Sequence, residues 1–158
     1  MYVVKKHYKQ TWREWLTMEQ AAKLQALASY LEEYRQDLEE TEIYVSNNAF
    51  ELDNGEEYLV LTDDEADEYA TSEIEDMLWA FNADFLASYT GLHKAVFDSL
   101  AEGYENSNEA IMALINNAGS MADFVQECMD ADGRGHFVAN YDGEEIELEN
   151  DYYAYRVN

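Results

Sequence analysis

Between Asp63 and Asp76 the chain reads DDEADEYATSEIED; eight of these fourteen residues are Asp or Glu, and none is Lys or Arg. Carboxylates packed this densely suit three kinds of chemistry: acid–base catalysis by a pair, coordination of a divalent cation, or display of a negative surface to a basic partner. In a chain with 35 acids some pair always has the spacing of a catalytic dyad, so pairs alone carry no information. The cation reading is best examined at DADGRGHF, residues 130–137. Asp130, Asp132 and Gly135 fall at positions one, three and six of a calcium loop, but Arg134 and Tyr141 occupy positions five and twelve, where ligands are required. The stretch reads instead as a glycine-rich exit from a helix into a strand. His7, His93 and His136 are scattered, and Cys128 lies eight residues from His136, which matches no zinc spacing. The chain has no phosphate loop, no HExxH and no nucleophile elbow. These observations predict a protein that is not an enzyme and holds no cofactor or metal; an enzyme or cation binder that uses the surplus carboxylates is the weakest reading.

The third kind of chemistry fits the spacing. A helix rises about 1.5 Å per residue, so Asp63 to Asp76 would span roughly 20 Å with one charge per about 2.5 Å. Duplex DNA carries one charge per about 1.7 Å of axis. A second series, Glu145, Glu147, Glu149 and Asp151, alternates with Ile146 and Leu148. On a strand these four acids would share one face at intervals of about 7 Å. The expected phosphate-like residues are therefore Asp63, Asp64, Glu65, Asp67, Glu68, Glu75 and Asp76 on one surface and Glu145, Glu147, Glu149 and Asp151 on another. A protein built to grip phosphates would find a similar pattern here, and binding it would relieve the self-repulsion of the acids. The competing readings are an acidic adaptor that binds a basic protein without competing with nucleic acid, and a plain solvated face.

Composition constrains the partner. Against 35 acids stand 9 bases, a formal charge of -26 and an isoelectric point near 4.1. Such a chain repels nucleic acid and anionic membranes and attracts basic protein surfaces. The first 35 residues hold six bases and four acids, whereas residues 36–158 hold three bases and 31 acids. A global adaptation to salt would have reached the first 35 residues as well. That segment includes YVVKKHYKQTWREW, where Lys5, Lys6, Lys9 and Arg13 stand among Tyr8, Trp12 and Trp15. Such a mixture can track a single strand, but the remaining charge opposes this; the simpler reading is an arm against its own acidic body or a second subunit. Trp12, Trp15, Trp79 and thirteen tyrosines offer apolar surface suited to a homodimer. One cysteine excludes an internal disulfide and fits a reducing compartment. Met1 to Gln10 is charged where a signal peptide needs an apolar stretch, and no apolar run reaches membrane-spanning length. The expected location is the cytoplasm.

The elements that must position these residues follow from periodicity and punctuation. There is no proline and no Gly/Ser-rich linker, so a single domain is expected, with residues 1–40 as a basic, aromatic arm plus helix and 41–158 as the acidic body. Residues 17–40 read as a helix, with Thr17 and Gln20 as a capping box and Leu24, Leu27, Leu31 and Leu38 at helical spacing. IYVS, AFEL and YLVLT read as strands, with Asp53-Asn54-Gly55 as a turn. Thr62 and Glu65 form a second capping box, followed by an apolar face of Ala66, Ala70, Ile74, Met77, Leu78 and Phe81; a fresh start at Ser72 would break this helix near 71. Further helices are expected at 84–102, 108–117 and 121–131, the last capped by Ser120, with Cys128 packing beside Phe124. From Gly135 onward the pattern returns to strands, with a hairpin at Asp142-Gly143. The predicted class is α+β, a small antiparallel sheet with helices packed on it.

EEYLVLTDDEADEYA (56–70), DGRGHFVANYDGEEIEL (132–148) and YYAYRVN (152–158) resemble segments of small acidic bacteriophage and prophage proteins. That class is similar in charge and size to antirestriction and anti-CRISPR proteins that mimic DNA. The resemblance implies a phage origin and a counter-defence role in the host cell cytoplasm, with a basic nucleic-acid-binding host protein, a restriction enzyme or CRISPR effector, as partner.

Overall fold

The computed structural model of the chain describes residues 2–5, 16–34 and 42–158. Its architecture is α+β, in two compact units: Met1–Asp67 with Val138–Asn158, and Glu68–Phe137.

The first unit is built on an antiparallel sheet. Its strands are β1 (Tyr2–Lys5), β2 (Glu42–Ser46), β3 (Ala49–Leu52), β4 (Glu57–Thr62), β5 (Ile146–Glu147) and β6 (Tyr152–Arg156), in spatial order β1-β2-β3-β4-β6-β5. Period-two alternation sets the buried face: Phe50 and Leu52 flank exposed Glu51 in β3, and Val60 of β4 pairs with Ala154 of β6. Helix α1 (Met18–Tyr34) lies against β4 and β6 and buries Leu24, Leu27 and Leu31 on that face. Each leucine removed from water contributes about 2 kcal/mol. The helix starts where expected: the Thr17 amide donates to Gln20 Oε1 and the Gln20 amide to Thr17 Oγ1, both at 3.1 Å. Residues 35–40, the expected end of this helix, lie outside the described residues.

Asp53-Asn54-Gly55 turns β3 into β4, with Gly55 at φ 86° and its amide donating to the Leu52 carbonyl at 2.9 Å. The C-terminal expectation needs correction. Residues 134–138 form a short helix, α7 (Arg134–Val138), rather than a strand. Asp142-Gly143 does turn, with the Gly143 amide on the Ala139 carbonyl at 2.8 Å, but it leads from α7 toward β5 and joins no paired strands. The hairpin is made later, between β5 and β6, by Asn150 and Asp151 at φ 63° and 58°. Asn and Asp are the side chains that best tolerate this left-handed geometry.

The second unit is helical. Helix α2 (Asp63–Asp76) enters it from the first, crossing the boundary between Asp67 and Glu68. It is continuous, so the break near 71 does not occur; Ala70 and Ile74 extend one buried stripe through it. After a single 3₁₀ turn at Leu78–Ala80 come α3 (Ala83–Thr90) and α4 (Lys94–Ala101), where one helix over 84–102 was expected. Gly91, at φ 71°, closes α3 with its amide on the Ala87 carbonyl at 2.9 Å, and His93 Nδ1 caps α4 by accepting from the Ala95 amide. A second 3₁₀ turn (Tyr104–Ser107), helices α5 (Asn108–Ala118) and α6 (Met121–Asp132) and most of α7 complete the unit, and Ser120 caps α6 by accepting from the Asp123 amide at 3.0 Å. Phe124 and Cys128 share the buried core with Leu86, Phe97, Ile111 and Ile115.

Candidate functional site: an acidic helix face

Helix α2 begins at a hydrogen-bonded capping box. The Thr62 amide donates to Glu65 Oε2 at 2.8 Å, and the Glu65 amide donates to Thr62 Oγ1 at 3.3 Å. Lys23 of α1, with none of its side chain exposed, reaches the same carboxylate: its Nζ lies 2.6 Å from Glu65 Oε2 and 2.8 Å from Glu19 Oε1. It also donates to Asn48 Oδ1 at 3.0 Å, while Asn48 Nδ2 donates to Glu65 Oε1 at 3.2 Å. Burial alone would raise the Glu65 carboxyl, but hydrogen bonds from Lys23 and the Thr62 amide overcome this and hold it below its ordinary range. Lys23 responds likewise: burial disfavours its charge, yet the bonds to Glu19 and Glu65 raise its pKa above the usual value. Glu65 thus anchors the helix start while keeping 33% of its side chain exposed.

Of the other expected residues, Asp63, Asp64, Asp67, Glu68 and Asp76 are exposed and Glu75 is half-buried. At 100° per residue Asp64, Glu68 and Glu75 fall within about 40° of one another around the axis, with axial steps of about 6 and 10 Å. The exposed Ser72 lies on the same side. The first turn is a favourable place for acids, because the helix dipole is positive there. The last turn is not: it contains Glu75 and Asp76 and no basic residue, a placement that costs about 0.3–1 kcal/mol per charge. Asn108 braces this end, donating to the Asp76 carbonyl at 2.6 Å and accepting from the Trp79 amide at 2.9 Å.

The second expected ladder is not a strand face. Only Ile146 and Glu147 are in strand β5, and Glu149–Asp151 is a 3₁₀ turn containing left-handed residues, so the four side chains do not alternate on one side. Glu145 accepts from the Tyr155 hydroxyl at 2.6 Å, and Glu147, Glu149 and Asp151 are exposed. The turn wins because it returns β6 to β4, whose pairing carries the sheet.

No protein-family model, curated protein or solved structure matches the chain. The site must therefore be read from its own chemistry. Three described cations are engaged locally: Lys23 as above, Lys94 with Asp98 at 2.6 Å, and Arg156 with Glu56 at 3.2 Å and over the Tyr141 ring at 3.8 Å. Of the candidate acids these pairs involve Glu65. Among the described residues no group of three or more His, Cys, Asp or Glu could hold a metal ion, and no helix is long and apolar enough to cross a membrane. The segment DADGRGHF is the end of α6, Gly133 at φ 82°, and the start of α7, so the expected exit into a strand is an exit into a helix. Trp79 is half-buried, edge-on to Tyr104 at 5.2 Å; Trp12, Trp15 and the basic run 6–15 lie outside the described residues. Lys23 and Asn108, which hold the two ends of α2, were not picked out from the sequence. Their partners are 42 and 32 residues away, so no local pattern marks them.

Proposed function

We propose that the protein is a non-enzymatic inhibitor of phage type that mimics nucleic acid and occupies the DNA- or RNA-binding site of a host defence protein, a restriction enzyme or CRISPR effector, in the host cytoplasm. The observation that carries this reading is the row Asp64, Glu68 and Glu75 on one side of α2, a helix that keeps acids even in its last turn, where the dipole opposes them. A face that served only solubility would place its acids elsewhere at lower cost to the helix. A partner bearing Lys and Arg meets the carboxylates of Asp64, Glu68 and Glu75 along one side of the helix, and the complex is relieved of like-charge repulsion.

The test is a pull-down from bacterial lysate by the tagged protein, with and without competitor DNA, repeated with the triple variant Asp64→Asn, Glu68→Gln, Glu75→Gln. A nuclease or CRISPR effector recovered by the parent, displaced by DNA and lost with the variant supports the reading. The variant should keep or raise its melting temperature. A partner retained in the presence of DNA would instead make the protein an adaptor. A partner held equally well by the triple variant would move the interface off α2.

A further inference from the structure

The helical unit Glu68–Phe137 also contains a cavity of about 360 Å³, lined by Phe85, Ser88, Tyr89, Ala118 and Glu127. That volume is at the small end of ligand sites, which start at about 300 Å³. Two walls are aromatic and fixed: Phe85 and Tyr89 pack on Phe124 at centroid distances of 5.5 and 5.1 Å. The Tyr89 hydroxyl also donates to the Ser120 carbonyl at 3.0 Å. Gly119 makes room for that ring, since a Cβ there would stand 2.8 Å from the Tyr89 hydroxyl oxygen. A third side is the exposed carboxylate of Glu127. The remaining lining comes from the ends of two helices. Ser88 and Tyr89 lie in the last turn of α3 and Ala118 is the last residue of α5, and neither last turn contains a base.

The charges around the cavity favour a cation. A carboxylate attracts it directly, and helix C-termini carry a partial negative charge of about half a unit. Within this unit thirteen acids face two bases, so the wider field has the same sign. An anion would be repelled by Glu127, and a neutral apolar ligand would leave that carboxylate against it. Among cations, guanidinium fits best. It is planar, stacks on rings, is more weakly hydrated than ammonium and can offer several N–H donors at once to a carboxylate and to helix-end carbonyls. We propose that this cavity receives the guanidinium of an arginine side chain presented by a basic protein partner. The proposal does not rest on α2 acting as a phosphate surrogate, and either can fail alone.

The probe is Nα-acetyl-arginine amide, titrated in the millimolar range into the isotopically labelled full-length protein and followed by NMR. The lysine analogue serves as comparator. Saturable shifts are expected at Tyr89, Ala118 and Glu127, with arginine bound at least about threefold more tightly than lysine. Glu127→Gln should weaken binding about fivefold. Ala118→Trp, which fills the cavity from an exposed position, should abolish it while the melting curve stays that of the parent. Shifts that never saturate, that are equal for lysine, or that survive Ala118→Trp would overturn the proposal.

Discussion

Lys23 is the residue on which the start of the acidic helix turns, and replacing it tests the structural argument most directly. Its side chain is fully shielded while Glu65 keeps 33% exposure and Glu19 58%. Removing one member of a fully buried ion pair costs about 3–5 kcal/mol, because the other charge is left uncompensated. Here water can reach Glu65 in part, so Lys23→Met should destabilise by about 2–3 kcal/mol. Glu65→Gln should cost about 2 kcal/mol: the Thr62 amide keeps an acceptor, but Lys23 retains only Glu19 as a charged partner. The double variant should be less destabilised than the sum of the two, with a coupling of about 1–2 kcal/mol. Urea denaturation followed by circular dichroism measures all three. The pH dependence follows from the shifted groups. Glu65 is held below its ordinary 4.5, so its contribution is complete above that value and is lost as pH falls through the lower folded value. Lys23 is raised above 10.5, so its contribution is complete below that value and is lost only as pH rises past the folded one. The gap between parent and Lys23→Met should therefore be widest near neutrality and shrink in acid. A gap under about 0.5 kcal/mol at neutral pH, the size of an ordinary surface substitution, or one unchanged down to full protonation of Glu65, would refute the reasoning.

Two further outcomes follow from the same physics. Burial, reinforced by the negative charges of Asp132 and Glu127, pushes the Cys128 thiol up to about 12; reaction with a thiol reagent at mildly alkaline pH should be about a thousandfold slower in the folded protein than after unfolding, and a ratio under about ten would show the thiol to be accessible. Like charges about 6 Å apart repel by about 0.7 kcal/mol in water, and screening lengths fall from about 30 Å at 0.01 M salt to about 3 Å at 1 M. Stability in urea should therefore rise with sodium chloride over that range, and a flat or falling trend would mean that repulsion among the acids is not a significant cost.

What the sequence disclosed was local. Both capping boxes are i, i+3 relations, and Thr17–Gln20 and Thr62–Glu65 close as the spacing predicts. Asp53-Asn54-Gly55 supplies the positive φ its turn needs. Strand β3 alternates, with Phe50 and Leu52 buried in the same core as the leucines of α1 and Glu51 exposed. What stayed hidden was set by distant partners. β1 is four residues inside a segment that reads as a basic arm, and it is a strand because β2, some forty residues on, pairs with it. The C-terminal alternation of Glu145 to Asp151 is a real period-two pattern, but the chain must reverse at Asn150-Asp151 to bring β6 beside β4, and the sheet overrides the local pattern. Gly91 and His93 together end one helix and begin another, a stop and a start two positions apart that hydrophobic periodicity alone runs through.

The same distinction applies to the acidic run. Charge density was legible, and direction was not. Density alone assigns Glu65 and Glu68 the same role, but geometry separates them: Glu65 is drawn inward by Lys23, Asn48 and the Thr62 amide, whereas Glu68 is exposed on the side that carries Asp64 and Glu75. The separation matters for the reading of the helix. Glu65 fixes the first turn to α1 and to the turn after β2, and Asn108 fixes the last through the Asp76 carbonyl and the Trp79 amide. Within the helix itself the carboxylates stand at set intervals, and preorganisation of this kind would add affinity by reducing what binding must immobilise. A solvated face needs charge but no fixed spacing. On the proposed reading, the direction and spacing of Asp64 and Glu68 are what a phosphate surrogate would use and a merely soluble surface would not need.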